Sequence, residues 1–344
     1  METKNITLNE KRNVTLTAYL QDVGGGFEHV TRRPGIIVMP GGGYQFHAET
    51  EAEPVALAYL QAGYQAFILH YSLKEDSVWP NPLDDYEQAM EYIRSHSEEW
   101  HLYPDKIAVI GFSAGGHLAA SAATLAKNRP AAAILGYAGL TADIRVCLPN
   151  APDVSEAVDY QTCPCFLFAT RTDNLLPINN TIRFMQALSD HGISFESHIY
   201  AYGPHGYSIG NSSVVSSDTK ICSRVKNWVG DSIGWLKDVM GDFGPDGMTE
   251  PVCEAHVTRD GDKYLSADCT IGHLMKFPQA MAILGGIVAQ LQTDKPDVSS
   301  MPKEGWDVSS IIQNMKLRNA LDYLRLSEEQ IRQVDEALSK IPNT

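Results

Sequence analysis

Along residues 6–22 apolar and polar positions alternate enough, with Ile6 and Leu8 and then Val14, Leu16 and Tyr19, to predict an opening antiparallel hairpin. The pattern then changes to short apolar runs separated by longer amphipathic ones. The runs Gly35–Met39, Gln65–Tyr71, Lys106–Gly111, Ala131–Tyr137, Cys165–Thr170 and Phe195–Tyr202 predict strands. Between and after them, Glu51–Ala62, Asp84–Ser97, Ala114–Lys127, Ile178–His191 and Ser223–Val239 predict helices. Such alternation implies an α/β fold, a doubly wound, mostly parallel sheet with helices on both faces. A Gly/Pro-rich stretch, 241–251, interrupts it and predicts a linker between a larger domain, 1–240, and a smaller one, 252–344. The smaller one reads as mainly helical, with helical periodicity over 270–291, 307–324 and 327–341. Its last helix opens with Ser327 and Gln330 in capping-box spacing and carries Ile331, Val334, Leu338 and Ile341 on one face.

A chain of 344 residues suits one large and one small domain. With 44% apolar and 20% charged residues the composition is that of an ordinary globular protein. No apolar run is long enough to span a bilayer, so no membrane partner is expected. The net charge of −15 argues against a nucleic-acid surface, which needs clustered Lys and Arg, and disfavours a polyanionic substrate. Cys147, Cys163, Cys165, Cys222, Cys253 and Cys269 form no regular framework. Cys163 and Cys165 stand two apart at a strand start, where both side chains point to one face and pairing would be strained. Reduced thiols, with an N-terminus that lacks the apolar core of a signal peptide, lead to an expected cytoplasmic location.

The chemistry concentrates in Val109–Leu118, a Gly-x-Ser-x-Gly centred on Ser113 and set between a predicted strand and a predicted helix. A serine on that sharp turn is exposed as a nucleophile, and Gly111 and Gly115 leave the room that a Cβ would fill. A serine hydroxyl needs a base, and the base needs a third group to orient it. Ligand sites in open α/β sheets lie beyond the carboxyl ends of strands, which directs the search to the loops there. Asp173 follows the strand Cys165–Thr170, and His205, between Pro204 and Gly206, follows the strand ending at Tyr202. Asp190, near a helix end, is the weaker acid candidate. The order Ser, acid, His is the one this turn type uses. Pro40-Gly41-Gly42-Gly43-Tyr44 follows the strand Gly35–Met39 and can present backbone N–H groups to an oxyanion. Gly42, with Gly43 as the neighbouring option, and Ala114 are the expected donors. None of this requires a cofactor or a metal.

Several stretches together carry a family resemblance: Pro40–Tyr44, Glu51–Ala56, Gly63-Tyr64 with Tyr71-Ser72, Gly111–His117 and Gly203–Tyr207. Through them residues 33–240 resemble the bacterial α/β-hydrolases related to acetyl-xylan and feruloyl esterases and to the hormone-sensitive-lipase group. The resemblance implies a serine carboxylesterase that removes short acyl groups, acetyl above all, from acylated carbohydrate. Two departures stand out. Pro40 occupies a place where lipases often have His, and Phe168–Thr172 lacks the His-Thr or His-Gly common before the acid. The segment 140–163, where lipases insert their caps, is short and polar, so an open site for a small-molecule or oligosaccharide ester is expected. Tyr44 and Tyr207 are expected to line it, and His117 either lines it or packs beneath it.

Other readings remain. A serine peptidase of the prolyl-oligopeptidase kind shares fold and triad, but no propeller and no acidic pair for amine capture is visible. A non-enzymatic binding protein on the same fold would usually carry a broken triad. In the C-terminal domain Cys253, His256, Cys269 and His273 are spaced C-x2-H-x12-C-x3-H, close to zinc-finger spacing. The plainer expectation is a metal-free module for packing or for oligomerisation, the second option making the chain a homo-oligomer through its C-terminal domain.

Overall fold

The computed structural model describes residues 1–291 and 312–343. They fall into two compact units, Met1–Ala255 and His256–Thr344. The first contains β1 (Glu2–Asn9), β2 (Val14–Leu20), β3 (Arg33–Met39), β4 (Gln65–His70), β5 (Leu102–Phe112), β6 (Ala132–Gly136), β7 (Cys165–Thr170) and β8 (Phe195–Tyr200). Among the described residues these make one sheet in the order β1-β2-β4-β3-β5-β6-β7-β8. β1 and β2 pair antiparallel and β2 pairs antiparallel with β4, while β4 through β8 run parallel. The order places β3 and β5, which feed the glycine loop and the serine turn, side by side at the centre, with Met39 paired to Gly111.

The central strands are buried on both faces because each face is roofed by helices. Along β5, Ile107 and Val109 enter one core layer, while Ala108, Ile110 and Phe112 enter the other. The first layer is closed by α2 (Asn81–Ser95), α3 (Ser113–Thr124) and α4 (Asn179–Asp190) through side chains such as Met90, Leu118 and Phe184. The second is closed by α1 (Glu53–Gln61) and α5 (Trp228–Met240), through Tyr59, Trp228 and Leu236. The doubly wound α/β architecture is thus present.

Boundaries differ in instructive places. α2 begins at Asn81, ahead of the expected Asp84, with Pro82 in its first turn, where a missing N–H costs nothing. The segment 241–251 holds a small hairpin, Phe243–Gly244 with Gly247–Met248, and belongs to the first unit. The chain stays tied to that unit beyond it: Cys253 N–H donates to Asp238 O (2.9 Å) and Ser194 N–H to Ala255 O (3.0 Å). The division therefore falls between 255 and 256, past the Gly/Pro-rich stretch.

The second unit has its own core of Leu265, Leu274, Leu317, Leu321, Ile331, Val334 and Leu338. The periodicity over 270–291 is split into helices Ile271–Leu274 and Pro278–Leu291, since Pro278 cannot continue the first. Of 307–324, the part up to 311 lies outside the described residues. The remainder is interrupted at Lys316, which bridges to Thr270 before the helix Leu317–Tyr323. Glu328–Leu338 starts with the expected capping box of Ser327 and Gln330. Cys269 Sγ points to Arg259 O (3.3 Å), and His273 Nε2 is paired with Asn343 Oδ1 (2.8 Å). Cys253 belongs to the first unit and His256 to the second. Among the described residues no group of three or more His, Cys, Asp or Glu is arranged to hold a metal ion.

Candidate active site

Where β5 ends and α3 begins, Ser113 takes φ 52°, a left-handed conformation that lifts its side chain out of the turn. The glycines around it are sterically required. A Cβ on Gly111 would lie 2.1 Å from Gly115 O, and one on Gly115 would lie 2.1 Å from Met39 O. The helix can therefore start directly against β3, with the serine at its first residue.

The acid and the histidine arrive from the adjacent strands. Asp173, three residues beyond β7, is almost wholly buried; its Oδ1 accepts from the amides of Leu175 (2.8 Å) and Leu176 (2.9 Å). Its Oδ2 lies 2.8 Å from His205 Nδ1, and His205 Nε2 lies 2.8 Å from Ser113 Oγ. An ionised carboxylate only accepts, so Nδ1 carries the proton and Nε2 is left as the acceptor for the serine hydroxyl. The histidine loop is held by backbone contacts: His205 N–H donates to Asn174 Oδ1 (3.0 Å) and Gly203 N–H to Thr172 Oγ1 (3.0 Å). The edge of Tyr137 rests on the imidazole at 4.9 Å between ring centroids. Asp190 closes α4 and takes no part.

The glycine loop approaches from β3. Gly42 has φ 127°, and a Cβ there would lie 2.0 Å from Phe46 O, so no other residue fits. The turn is closed by Gln45 N–H to Gly42 O (3.0 Å) and Ala48 N–H to Gly41 O (2.9 Å), and Tyr71 OH donates to Pro40 O (2.5 Å). The amides of Gly42 and Gly43 find no acceptor among the described residues. Ala114, in the first turn of α3, has no intrahelical acceptor for its own amide. All three border the same cavity of about 600 Å³, into which Ser113 and His205 open.

Two expectations are corrected here. Tyr44 and Tyr207 are both fully buried and do not line the cavity. The left-handed φ of 60° at Tyr44 turns its ring inward, where its hydroxyl meets His117 Nδ1 at 2.7 Å. His117 Nε2 faces the Pro152 carbonyl at 3.1 Å, which can only accept, so Nε2 carries the proton and Nδ1 accepts from Tyr44. Of the two readings for His117, the structure thus has packing beneath the site. Burial pushes its imidazole down to about 4. Tyr207 packs against Tyr137 (4.7 Å) and Phe168 (6.1 Å) in the core under the histidine loop.

The residues that do surround the cavity mouth carried no signal in the sequence. Phe46, Val146 and Leu175 are 60%, 92% and 66% exposed, an apolar rim over a polar floor. Val146 comes from 140–163, which is packed down by Ile144, Leu148, Ala151, Val154 and Val158 and does not rise into a cap. Single exposed apolar residues are common on any surface, so only their convergence on one opening distinguishes these.

The family model described as BD-FAE matches residues 27–144. The solved structure of MGS-M1, an alpha/beta hydrolase enzyme from a Medee basin deep-sea metagenome library, is 43% identical to this chain, with a TM-score of 0.66. The match covers 70% of this chain and 98% of that one. Among curated proteins, endo-1,4-beta-xylanase B of Butyrivibrio fibrisolvens is 28% identical over 54% of this chain and 34% of its own length. An acetylxylan esterase of Xylanibacter ruminicola is 28% identical over 51% of this chain and 41% of its own length. The chain thus spans well under half the length of these curated relatives.

Proposed function

The chain belongs to the α/β-hydrolase family, and on that premise we propose that it is a serine carboxylesterase that removes short acyl groups, chiefly acetyl, from acylated carbohydrate. The observation that carries this reading is the continuous line from Asp173 through His205 to Ser113, 2.8 Å at each step, beside three amides without acceptors. In the proposed mechanism Ser113 Oγ attacks the ester carbonyl while His205 Nε2 takes its proton. Asp173 holds the tautomer and stabilises the imidazolium. The carbonyl oxygen, now anionic, is met by the amides of Ala114 and of Gly42 or Gly43, which are already oriented and need no reorganisation. His205 returns the proton to the departing alcohol. Water, deprotonated by the same imidazole, then releases the acid from Ser113.

The carbohydrate part of the reading draws on the acetylxylan esterase and xylanase relatives, and the short acyl preference on the low 140–163 segment. The apolar rim favours a second reading of the same site, a bulkier apolar acyl group. One experiment separates them: initial rates on p-nitrophenyl esters from acetate to octanoate, beside acetylated xylo-, manno- and cello-oligosaccharides. Acetate should exceed octanoate, acetylated oligosaccharides should be deacetylated, and Ser113→Ala should abolish both. A preference for octanoate overturns the short-acyl proposal, and activity retained in Ser113→Ala overturns the serine mechanism.

A further inference from the structure

Behind the glycine loop lies a carboxylate that the proposed mechanism does not use. Glu51, just before α1, is 3% exposed and borders the cavity beside Ser113. Its Oε2 accepts from the Gly41 amide at 2.8 Å, and its Oε1 accepts from the Tyr137 hydroxyl at 2.6 Å. The same hydroxyl accepts from the Ser208 amide at 2.9 Å, and the Ser208 side chain in turn donates to Thr50 O, one residue before Glu51. We propose that Glu51 is a positioning residue for ester hydrolysis: it ties the loop that presents the Gly42 and Gly43 amides to the loop that carries His205, so that both keep one register about Ser113. This rests on the serine-esterase reading above.

The directions of the hydrogen bonds leave no other side chain equivalent. An amide N–H can only donate. The Tyr137 hydroxyl, which receives from Ser208, has one proton to give and gives it to Glu51. Residue 51 must therefore accept on two separate atoms, as a carboxylate does. A glutamine offers one acceptor and one donor: with its NH2 toward Gly41 two donors face each other, and with its NH2 toward Tyr137 the hydroxyl must accept twice and its own proton loses its acceptor. The fit is close from the other side too: a Cβ on Gly41 would lie 2.7 Å from Glu51 Oε2 and 2.9 Å from Ser113 Cβ. Burial works against the charge and raises the Glu51 pKa, while Tyr137, Gly41 and the attraction of His205 act in the opposite direction. A carboxylate one ring removed from His205 also favours the imidazolium formed when the serine gives up its proton.

The test compares wild type, S113A, E51Q and Y137F by p-nitrophenyl acetate kinetics, by the rate of serine labelling with a fluorophosphonate, and by thermal melting. E51Q should lower kcat by about tenfold or more, with KM held within about twofold and labelling slowed in step. Y137F removes one hydroxyl and should move the same quantities in the same direction by about threefold, which keeps the test decisive if E51Q does not fold. A merely structural role would lower the melting temperature and leave kcat and labelling rate per folded molecule unchanged. Folded variants with both rates within about twofold of wild type would overturn the proposal while wild type stays active and S113A inactive. Activity in S113A would instead overturn the esterase reading beneath it.

Discussion

The floor and the rim of the candidate catalytic cavity are built on opposite principles. On the floor, Ser113, the glycine loop and Asp173 are fixed by backbone: a left-handed serine, glycines at which a Cβ would lie only about 2 Å from a carbonyl oxygen, and a carboxylate gripped by two amides. On the rim, Phe46, Val146 and Leu175 stand largely in solvent. Geometry that must be kept to a fraction of an ångström is thus assigned to the main chain and to buried polar contacts. The proposed acyl selectivity falls instead to side chains that project into solvent.

The largest expected effect breaks the floor at its deepest point. In Asp173→Asn the side-chain oxygen stays with the Leu175 and Leu176 amides, so its NH2 faces His205 Nδ1. That imidazole must then accept at Nδ1 and donate from Nε2, the wrong tautomer for taking the Ser113 proton. By analogy with the aspartate of the serine-protease triad, kcat on p-nitrophenyl acetate should fall by roughly 10³–10⁴-fold with the fold intact by circular dichroism. A loss under about tenfold would mean that Asp173 is not the orienting acid. Next, Gly42→Ala forces a Cβ into Phe46 O and shifts the amide donors. A fall in kcat/KM of about 10²–10³-fold is expected, and an unchanged value would remove Gly42 from the oxyanion site.

A third prediction probes the support under the floor by pH. The folded pKa of His117, about 4, lies below its ordinary value of 6.5. Between these values the unfolded chain binds a proton that the folded chain refuses. The stability tied to neutral His117 is therefore fully present above about pH 6.5 and is lost as pH falls toward 4, in total on the order of 3 kcal/mol. Melting temperatures measured from pH 7 to 4.5 should decline less steeply in His117→Gln, which can still donate to Pro152 O and accept from Tyr44. Equal slopes would contradict the assignment. The smallest effect belongs to the rim: Leu175→Ala should change the butyrate-to-acetate ratio of kcat/KM by about threefold, with acetate turnover nearly unaltered. A change of similar size for both esters would place Leu175 in the floor instead.

Ser113, Asp173 and His205 were legible because each stands just past a recognisable apolar strand, in a local context of glycine or proline that core packing does not explain. Tyr44 and Tyr207 were misread for the complementary reason. They flank the glycine loop and the histidine, but whether a ring turns toward substrate or toward the core depends on one backbone angle and on which partner waits inside. His117, for Tyr44, is seventy-three residues away. The rim residues were invisible because they come from loops after three different strands. Glu51 looked like the start of an ordinary helix, since nothing nearby in the chain announces that Gly41 and Tyr137 both need an acceptor there.

By itself, then, the sequence determined the order of strands and helices, the turn that exposes Ser113, and the identity and order of the groups that could act with it. These follow from local rules: periodicity, the steric demands of glycine, and the position of a loop at the end of a strand. Only the tertiary structure decided which of the flanking aromatic residues face the cavity, where the first unit ends, which side chains form the rim, and that one buried carboxylate joins the two working loops. Those outcomes depend on contacts between segments far apart in the chain, where the need to satisfy every buried donor and acceptor selects a single arrangement from the many that local pattern permits.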